Sequence, residues 1–315
     1  MSAGERSFHE VPYNPAQQAI VELLGARAED RPEFDPGLST RLQVMLEAEL
    51  WPLAEQLDRD DALWVTKHEL SGVHGCEARH LVDDAFAWSP PLARGTVVHK
   101  AIELSVHWRG EPTPLELVDE ATARLEDGGG SLADWLRTAS DVERADLRSV
   151  ANDHVAKFLE CFPPLLRAWV PVTESRVRVE LCDGRIVLGG KIDLSLGKAR
   201  GTRAGKVLLD LKTGRFAPSH VDDLRYYALV ETIRLGTPPR LVASYYLDEA
   251  RAHPEVVNEA VLDAAVARTV DGARRLFALR HGGAEPSRRP GPACRWCPLL
   301  DECEQGQAHH RDDAD

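Results

Sequence analysis

The stretch "KVLLDLKTGR" at residues 206–215 combines a buried-strand pattern with two charges that a hydrophobic core would not contain. The apolar residues 207–209 are typical of a strand buried in a sheet. Asp210 and Lys212 follow directly, and because residues two apart in a strand point to the same face, their side chains project together. Burying an unpaired charge is strongly unfavourable, so these two groups need each other or a metal ion.

The sequence around this stretch predicts a mixed β-sheet. Residues 174–181 alternate between apolar and polar side chains, as a half-buried strand does, and "DG" at 183–184 is a strong hairpin signal. Residues 185–196 form the predicted return strand, in which a pair of glycines indicates a bulge or a close backbone approach. After a helix, a fourth strand is predicted over 240–247. This order predicts an α/β core wrapped by helices.

Helical patterns surround the strands and suggest how the chain is organised. The predicted helices are two within 15–57, a short pair within 66–81, one over 93–108, acidic pieces within 109–140, a long helix from Asp141 to about Trp169, and helices over 219–236 and 258–283. We therefore expect an N-terminal helical region (1–62), a main domain (63–305) with a helical insertion at about 109–150, and a disordered tail (306–315).

The composition is that of a soluble globular protein, with 43% hydrophobic and 28% charged residues among 315. No run reaches the roughly 18 apolar residues that span a bilayer, and the N-terminus lacks the basic and apolar segments of a secretory signal. We therefore expect a cytoplasmic protein, in a reducing compartment where its six cysteines do not form disulfides.

The net charge of −13 argues against a protein that coats nucleic acid nonspecifically. The charge is uneven, however, because residues 198–215 and 268–295 are strongly basic while the acid excess lies near the N-terminus and in 111–146. Local basic surfaces of this kind are compatible with a polyanion partner, and ordinary solvated faces are the alternative explanation.

A second carboxylate is predicted to approach Asp210. Asp193 ends the apolar part of "GGKIDLSL", and if strands 185–196 and 205–212 pair, the two aspartates can reach one point. Two carboxylates from adjacent strand ends form an oxygen site suited to Mg²⁺ or Mn²⁺. Lys212 beside them can orient a nucleophilic water or neutralise developing negative charge. For an isolated Asp–x–Lys, a salt bridge at a strand end is the simpler explanation.

The ordered set of motifs resembles the PD-(D/E)XK nuclease superfamily, and in particular its RecB-like branch. "GTVVH" matches the branch's G-x-x-x-H helix and supplies His99, and "GKID" matches its G-x-x-D strand end at Asp193. "DLK" matches (D/E)-x-K and is followed by the common "TG". "DLRYY" matches the final Q-x-x-x-Y helix at Tyr227, but Asp223 stands where the branch usually has Gln. The resemblance covers about residues 66–305.

The resemblance implies a restriction-endonuclease-like fold, a mixed sheet flanked by helices, and a set of metal ligands. These implied ligands are His99, Asp193, Asp210 and the carbonyl of Leu211. By the same resemblance Lys212 positions the attacking water. A lone helical histidine is usually structural, and it is the motif context that favours a functional His99.

Three further residues receive weaker roles from the resemblance. Tyr227 is expected to support the site or the DNA strand, although packed tyrosines are common in helices. Asp223 lies one turn before Tyr227 and can accept hydrogen bonds, but it adds negative charge near DNA. Glu174 matches a frequent acidic position at the start of the first strand.

The C-terminal segment "CRWCPLLDEC" places three thiols close together at Cys294, Cys297 and Cys303. In a reducing compartment this spacing indicates a bound metal rather than disulfides. A tetrahedral metal or a cluster needs a fourth ligand. Cys76, which precedes the helix of His99, is the natural choice.

The four cysteines resemble those of iron–sulfur RecB-like nucleases, such as AddB-type repair nucleases and the exonucleases of CRISPR adaptation. In those proteins one upstream and three C-terminal cysteines hold a [4Fe–4S] cluster, which here would staple the two ends of the main domain. Zinc, with His74 or His80 as a ligand, is the alternative. Cys161 and Cys182 lie in an apolar helix and a strand and are expected to be buried hydrophobic residues.

The resemblance implies a metal-dependent deoxyribonuclease that uses Mg²⁺ or Mn²⁺. Its expected action is that of an exonuclease on single-stranded ends or flaps, in DNA repair, recombination or defence. The implied partners are DNA and a separate helicase or repair or defence protein, because the sequence has no helicase phosphate-binding loop. The alternative is a non-catalytic DNA-binding iron–sulfur subunit of a helicase–nuclease complex, which the intact set of Asp193, Asp210 and Lys212 disfavours.

Overall fold

The computed structural model describes residues 13–58, 61–82 and 87–312. The helices are α1 (Pro15–Leu24), α2 (Leu38–Ala54), α3 (Lys67–His74), α4 (Glu77–His80), α5 (Pro90–His107), α6 (Pro114–Asp127), α7 (Gly130–Thr138), α8 (Asp141–Cys161), α9 (Ser219–Leu235), α10 (Glu259–Arg280) and α11 (Glu304–Asp312). The strands are β1 (Leu63–Thr66), β2 (Val172–Leu181), β3 (Ile186–Leu196), β4 (Val207–Lys212), β5 (Leu241–Tyr246) and β6 (Arg251–Val256).

The strands of the described residues form one mixed sheet with β3 at its centre. β2 pairs antiparallel with β3 along nearly its whole length, as the hairpin at 183–184 requires. β4 pairs antiparallel with β3, and β5 lies parallel to β4 after the α9 crossover. β6 pairs antiparallel with β5 and ends the sheet. This mixed sheet flanked by helices confirms the predicted fold class.

Two strands share one edge of β3, and their arrangement creates a gap. β1 runs parallel to β3 and pairs with it as far as Thr66 opposite Gly189. β4 runs in the opposite direction on the same edge, and its last paired residue is Leu209 opposite Leu194. The carboxyl ends of β1 and β4 therefore point toward each other across the stretch 190–193 of β3. Side chains from three strands can meet in this gap.

Each face of the sheet carries its own hydrophobic core. One core packs the sheet against α2, α9 and α10, and Leu208 and Val242 face it. The other packs against α5, α6 and α8, and Leu209 and Ala243 face it. Because neighbouring strand residues alternate between faces, β4 and β5 are buried on both sides, which explains their nearly continuous apolar sequences.

Local signals account for several helix ends. Thr113 and Ser140 are the N-caps of α6 and α8, and both form capping boxes. In each box the N-cap hydroxyl accepts the backbone amide of the third helix residue, and the glutamate at that position accepts the backbone amide of the N-cap. α9 ends at Gly236, whose φ of 83° lies in the left-handed region that glycine adopts without strain. α8 ends at Cys161, shortly before the Pro-Pro pair, so the predicted long helix is shorter than expected and is followed by a 3₁₀ turn.

The structure adds two strands that the sequence did not predict. β1 has only four residues, too few for a clear alternation. β6 contains a proline and mostly exposed side chains, and it is an edge strand, where proline is tolerated. Residues Glu304–Asp312 form a helix where a disordered tail was expected, and residues 313–315 of that tail lie outside the described residues.

The N-terminal helices pack into the same two cores as the main domain. Leu42 and Leu46 of α2 are buried in the core beside α10, and Ile20 and Leu24 of α1 are buried beside α8. The inserted helices α6 and α7 likewise contribute to the second core. In the part of the chain that the structure describes, no helix is long and apolar enough to cross a membrane.

Candidate active site

Asp193 lies where β3 and β4 separate. The paired register of the two strands ends at Leu194 opposite Leu209, so Asp193 and Asp210 are the next residues on each strand. The backbone amide of Leu211 donates a 2.8 Å hydrogen bond to Oδ2 of Asp193, so the carboxylate replaces the next rung of the ladder. The two strands do pair, in antiparallel orientation, and this pairing brings both aspartates to the gap.

His99, Glu174 and Asp193 form a compact group of potential metal ligands. Among the described residues, one ligand atom from each of these three side chains lies within 4.8 Å of the others. Nδ1 of His99 is 3.5 Å from Oδ1 of Asp193 and 3.7 Å from Oε1 of Glu174. Nε2 of His99 lies 2.9 Å from the carbonyl oxygen of Leu211. A histidine and two carboxylates therefore converge on one place, and the Leu211 carbonyl contacts the other nitrogen of the imidazole ring.

Glu174 reaches this group through an irregularity in β2. Its φ of 51° is in the left-handed region, and it is opposite Asp193 in the β2–β3 register, between the paired residues Thr173 and Ser175. Its other oxygen pairs with the ammonium of Lys191. Burial disfavours its charged form, but His99 and Lys191 outweigh burial and lower the pKa of Glu174. Glu174, a weakly supported residue from sequence, thus lies within the group.

His99 is held by the helix α5, whose neighbouring residues Val98 and Ile102 are fully or almost fully buried in the second core. Burial opposes protonation of the imidazole, but the carboxylates of Asp193 and Glu174 outweigh burial and raise its pKa to about 10. The two carboxylates therefore favour a positive charge at this position. A divalent cation would take over the role of that positive charge, because it is attracted by the same carboxylates.

Asp210 sits beside this group and is bound by two lysines. Nζ of Lys212 is 2.6 Å from Oδ2 of Asp210, and Nζ of Lys67 is 3.1 Å from Oδ1. Asp210 is only 3% exposed, and burial would by itself favour its neutral form. The two ammonium groups outweigh burial and hold the pKa of the carboxyl below its usual range. Asp210 and Lys212 thus form an ion pair, to which Lys67 adds a second positive charge.

Lys67 is the site residue that sequence reasoning missed. It is the first residue of α3, directly after β1, and its Nζ lies 5.3 Å from the centroid of the Tyr227 ring. The short string "LWVT", whose last residue Thr66 is the N-cap of α3, was the available signal, since a short strand that ends in a helix cap places the next residue at a sheet edge.

The helix α9 covers the gap with two tyrosines. The hydroxyl of Tyr227 accepts the amide of Lys191 at 3.2 Å, and the hydroxyl of Tyr226 donates to Val65 at 2.6 Å. A Cβ at Gly190 would lie 2.7 Å from the Tyr227 ring. The close backbone approach predicted from the glycine pair is therefore confirmed, and glycine is required there.

Asp223 lies at the rim of the same site. Its Oδ1 accepts a 3.0 Å hydrogen bond from the hydroxyl of Ser71. Burial raises the pKa of Asp223, and Lys67 and Lys212 partly offset this effect. Asp223 therefore stands near both lysines of the Asp210 cluster.

The four cysteines come together elsewhere. Cys76, Cys294, Cys297 and Cys303 line one small cavity beside α11. Backbone amides donate to two of the sulfurs, from Gly291 to Cys294 at 3.3 Å and from Gly306 to Cys303 at 3.4 Å. The N- and C-terminal parts of the main domain thus meet at these thiols.

The two histidines considered for zinc are engaged away from this cavity. Nε2 of His74 lies 3.1 Å from the carbonyl of Arg268, and Nε2 of His80 lies 3.1 Å from Glu69. Neither lines the cysteine cavity. Of the remaining cysteines, Cys182 is buried, as expected, whereas Cys161 is partly exposed.

The basic segment 268–295 is largely neutralised within the protein. Four of its arginines pair with acidic side chains, in the pairs Arg268–Asp222, Arg274–Glu49, Arg275–Glu77 and Arg280–Glu69. Glu77 is buried, and it also accepts the amide of Ser287, so one of these pairs anchors the segment that leads to the cysteines. These arginines stabilise the fold and are less available to DNA than the sequence suggested.

Comparison with known families gives this geometry a context. The family model of the PD-(D/E)XK nuclease superfamily matches residues 65–304. The chain belongs to this superfamily. Two solved structures are similar to it, each at 12% sequence identity. A candidate exonuclease from Eubacterium rectale matches with a TM-score of 0.46, over 78% of this chain and 87% of that chain. The protein SSO0001 matches with a TM-score of 0.34, over 84% of this chain and 96% of that chain. No curated protein matches the sequence.

PD-(D/E)XK nucleases use divalent metals, and the group of His99, Glu174 and Asp193 is a possible site for one. The D-x-K string at 210–212 lies within the matched range and next to that group. A PD-(D/E)XK nuclease acts on nucleic acid phosphodiesters, so membership supports a nuclease and a DNA substrate.

Proposed function

We propose that this protein is a metal-dependent DNA nuclease that acts as an exonuclease on single-stranded or tailed DNA. The observation that carries the proposal is the convergence of His99, Glu174 and Asp193 beside the Asp210–Lys212 pair. Each of these charges would be costly to bury alone, and together they form a hard ligand set next to the ammonium group of Lys212.

His99, Glu174, Asp193 and the Leu211 carbonyl are the groups that would hold Mg²⁺ or Mn²⁺, with Asp210 as a further carboxylate. When bound, such an ion lowers the pKa of water and stabilises negative charge on a phosphate. For the Leu211 carbonyl to act as a ligand, the His99 ring must give up its present contact with that oxygen.

The lysines of the site supply orientation and charge. Lys212, held by Asp210, can position the attacking water and offset negative charge on the phosphodiester. Lys67 keeps the other oxygen of Asp210 in place. Tyr227 supports Lys67 and the backbone of β3, and Asp223 limits the positive charge at the rim.

The order of motifs supports placement in the RecB-like branch, although Asp223 replaces its usual Gln. We further propose that the chain functions in a reducing compartment in DNA repair, recombination or defence, with a separate helicase or repair or defence protein. The domain division follows the same proposal, with a nuclease domain over 63–305 and the N-terminal helices packed against it.

A pair of lysine variants tests the catalytic role. Lys212→Ala should lose at least about a hundred-fold of DNA cleavage with Mg²⁺ or Mn²⁺. Lys157→Ala is the matched control, because Lys157 is an exposed lysine whose ammonium donates to the Asp248 carbonyl, outside the site. Equal activity of Lys212→Ala and wild type would favour the alternative, a non-catalytic DNA-binding subunit of a helicase–nuclease complex.

The direction of cutting is tested by product length. End-labelled single-stranded, 5′-tailed and 3′-tailed DNA should yield short products that accumulate from one end, whereas closed circular DNA should stay intact. Cleavage of the circle would contradict exonuclease action while leaving the nuclease assignment in place.

We also propose that the four-cysteine cavity holds a [4Fe–4S] cluster. The thiols present fit such a group, since all four line one cavity and two receive backbone N–H groups. Three sulfurs on one zinc ion, at Zn–S distances of about 2.3 Å, would all lie within about 4.6 Å of one another. No three of these described cysteines satisfy a limit of 4.8 Å, so a larger group fits their spacing better.

Metal analysis separates the cluster from zinc. Anaerobically purified protein should be brown and contain iron, and Cys303→Ser should lose both colour and iron. Cys161→Ser is the matched control, because Cys161 is a partly exposed thiol outside the cavity. Colourless protein with stoichiometric zinc would overturn the cluster assignment.

A further inference from the structure

A cavity of about 330 Å³ opens at the start of β4, at the other end of this strand from Lys212. Its wall includes the C-terminal end of α1, the residues that follow α8, and the chain between β3 and β4. Val207, which lines it, precedes Asp210 by three residues, a distance of about 10 Å along the strand. The volume lies in the range of small-molecule sites.

Arg240 lies in the wall of this cavity and has no acidic partner among the described residues. It is 9% exposed, and its backbone is fixed in the sheet by hydrogen bonds with Lys206 and Val257. Its Nη2 donates to the carbonyl of Leu24 at the end of α1, whereas its Nε is buried without a hydrogen-bond partner. Burial, followed by the charge of Arg31, lowers the pKa of Arg240.

Arg31 is a second arginine in the same situation. Its Nη2 donates to the carbonyl of Ala26 at 3.4 Å, and its Nε is also buried without a partner. Gly205 leaves room for it, since a Cβ at that position would lie 3.1 Å from Nη1 of Arg31. Two like charges thus face one cavity, and in the part of the chain that the structure describes neither has the carboxylate partner that a desolvated guanidinium ordinarily has.

The rest of the lining increases this positive charge. Lys198 and Arg200 are exposed at the rim, and the cavity has no Asp or Glu among its described lining residues. The neighbouring Glu33 is already paired with Arg203. The basic segment that the sequence suggested for DNA binding therefore begins far from the active site, around this cavity.

Another part of the lining is apolar and partly aromatic. Phe162, Trp169 and Leu196 line it, and Trp169 is only half-buried, which leaves part of its ring accessible. Guanidinium groups bind phosphate with good geometry, and indole faces stack on nucleic acid bases. The arginines and the apolar, partly aromatic residues of the lining together match a ligand that has an anionic phosphate at one end and a flat, weakly polar body at the other.

We propose that this cavity binds a nucleoside phosphate, with Arg240 and Arg31 on the phosphate and Trp169 against the base. The phosphate supplies the negative charge that no described residue provides to the two arginines. The site is separate from the His99–Asp193 group, and the proposal does not depend on nuclease activity. The same chemistry can come from a free nucleotide or from a phosphorylated DNA end.

Calorimetric titration in EDTA, which removes divalent metal from the active site, tests the proposal with adenosine 5′-monophosphate as the probe. Wild type should bind it at least ten-fold more tightly than it binds inorganic phosphate or adenosine. Arg240→Met and Arg31→Met, which remove the two proposed phosphate ligands, should each weaken binding at least ten-fold. Arg215→Ala is the matched control, since Arg215 is an exposed arginine of the same basic segment at the other end of β4.

A thermal melt keeps the test decisive if a variant folds poorly. Without ligand, Arg240→Met should melt no lower than wild type, because it removes an unpaired buried charge, and it should lose the nucleotide-induced rise in Tm. Displacement of the nucleotide by a 5′-phosphorylated oligonucleotide would identify a DNA end as the source, and lack of displacement would identify the free nucleotide. Failure of wild type to bind at millimolar nucleotide, or wild-type affinity in Arg240→Met and Arg31→Met, would overturn the proposal.

Discussion

The two ends of β4 handle buried charge in opposite ways. At its carboxyl end, Asp210 is paired with Lys67 and Lys212, and each charge has a partner within the protein. At its start, Arg31 and Arg240 share a cavity without an acidic partner among the described residues. A cluster of buried charges in which each charge has an opposite partner is stable by itself and can exchange one partner for a metal ion. A cluster of like buried charges instead needs a ligand of opposite charge from outside the protein.

The largest expected effect on cleavage comes from removing the charge of Asp193, which lies beside Asp210 at the carboxyl end of β4. Asp193→Asn keeps an oxygen that can accept the Leu211 amide but removes the negative charge that faces His99. Cleavage should fall about a thousand-fold, which corresponds to about 4 kcal/mol, and Mn²⁺ binding measured by electron paramagnetic resonance should weaken at least ten-fold.

Asp248→Asn is the control for that experiment, because Asp248 also contacts a histidine, His154, at 2.8 Å but lies outside the site. It should leave both cleavage and Mn²⁺ binding unchanged. Normal Mn²⁺ affinity in Asp193→Asn would show that the carboxylate–histidine group does not hold the metal.

Lys67→Met tests whether the carboxyl end of β4 needs both lysines. Lys212 would remain on Asp210, so the protein should fold, but the carboxylate would be less firmly oriented. Loss of a group that orients a metal-binding side chain typically costs about 10–100-fold in activity. Steady-state cleavage should fall within that range, with Lys157→Met as control, and a wild-type rate would limit Lys67 to a structural role.

Gly190→Ala measures how tightly the sheet is packed beside the carboxyl end of β4. The new Cβ would lie 2.7 Å from the Tyr227 ring, and such overpacking destabilises by about 1–3 kcal/mol. Gly189→Ala is the matched control, because its Cβ would meet Trp64 at an ordinary 3.5 Å. The urea midpoint of Gly190→Ala should lie well below those of Gly189→Ala and wild type. Equal midpoints would contradict the close approach of the Tyr227 ring to Gly190.

The smallest effect on stability is expected at a solvent-exposed ion pair. This pair shows what an ion pair contributes without burial, for comparison with the buried charges at both ends of β4. Asp119 on α6 contacts Arg148 on α8 with two bonds of 2.6 and 2.7 Å, and both side chains are about half exposed. Asp119→Asn should cost less than about 1 kcal/mol in unfolding free energy.

The hydrogen bond from Arg148 also lowers the pKa of Asp119 in the folded protein. The stabilisation is therefore present above the usual pKa of an aspartate and is lost as the pH falls through the lowered value. Unfolding measured at neutral and at acidic pH should show the difference between Asp119→Asn and wild type shrinking in acid. A difference that grew in acid would contradict the assigned pair.

Much of the fold was predictable because its signals are local. The hairpin between β2 and β3 follows from "DG" and alternation, and this pairing sets the position of Asp193. β1 and β6 were missed because a four-residue strand and a strand with a proline carry weak periodicity. The tail differs for a similar reason, since its helix contains mostly polar residues and begins beside the cysteines.

The candidate site was only partly predictable for the same reason. The motif order gave His99, Asp193, Asp210 and Lys212, and the structure brings these residues together. It could not give Lys67, which reaches Asp210 across 143 residues of sequence. The sequence also did not show that the basic segment near Arg200 lines a separate cavity. The charge composition of a loop does not reveal where that loop packs in the fold.

The sequence by itself determined the chemistry of β4, because a repeat of two residues places Asp210 and Lys212 on one face whatever surrounds the strand. Only the tertiary structure decided which charges have partners. β1 and β4 meet head to head on one edge of β3, so Lys67 neutralises Asp210, whereas no acidic residue of the described chain reaches Arg240. The physical reason is that strand periodicity is a property of the local backbone, while compensation of buried charge depends on how distant elements pack.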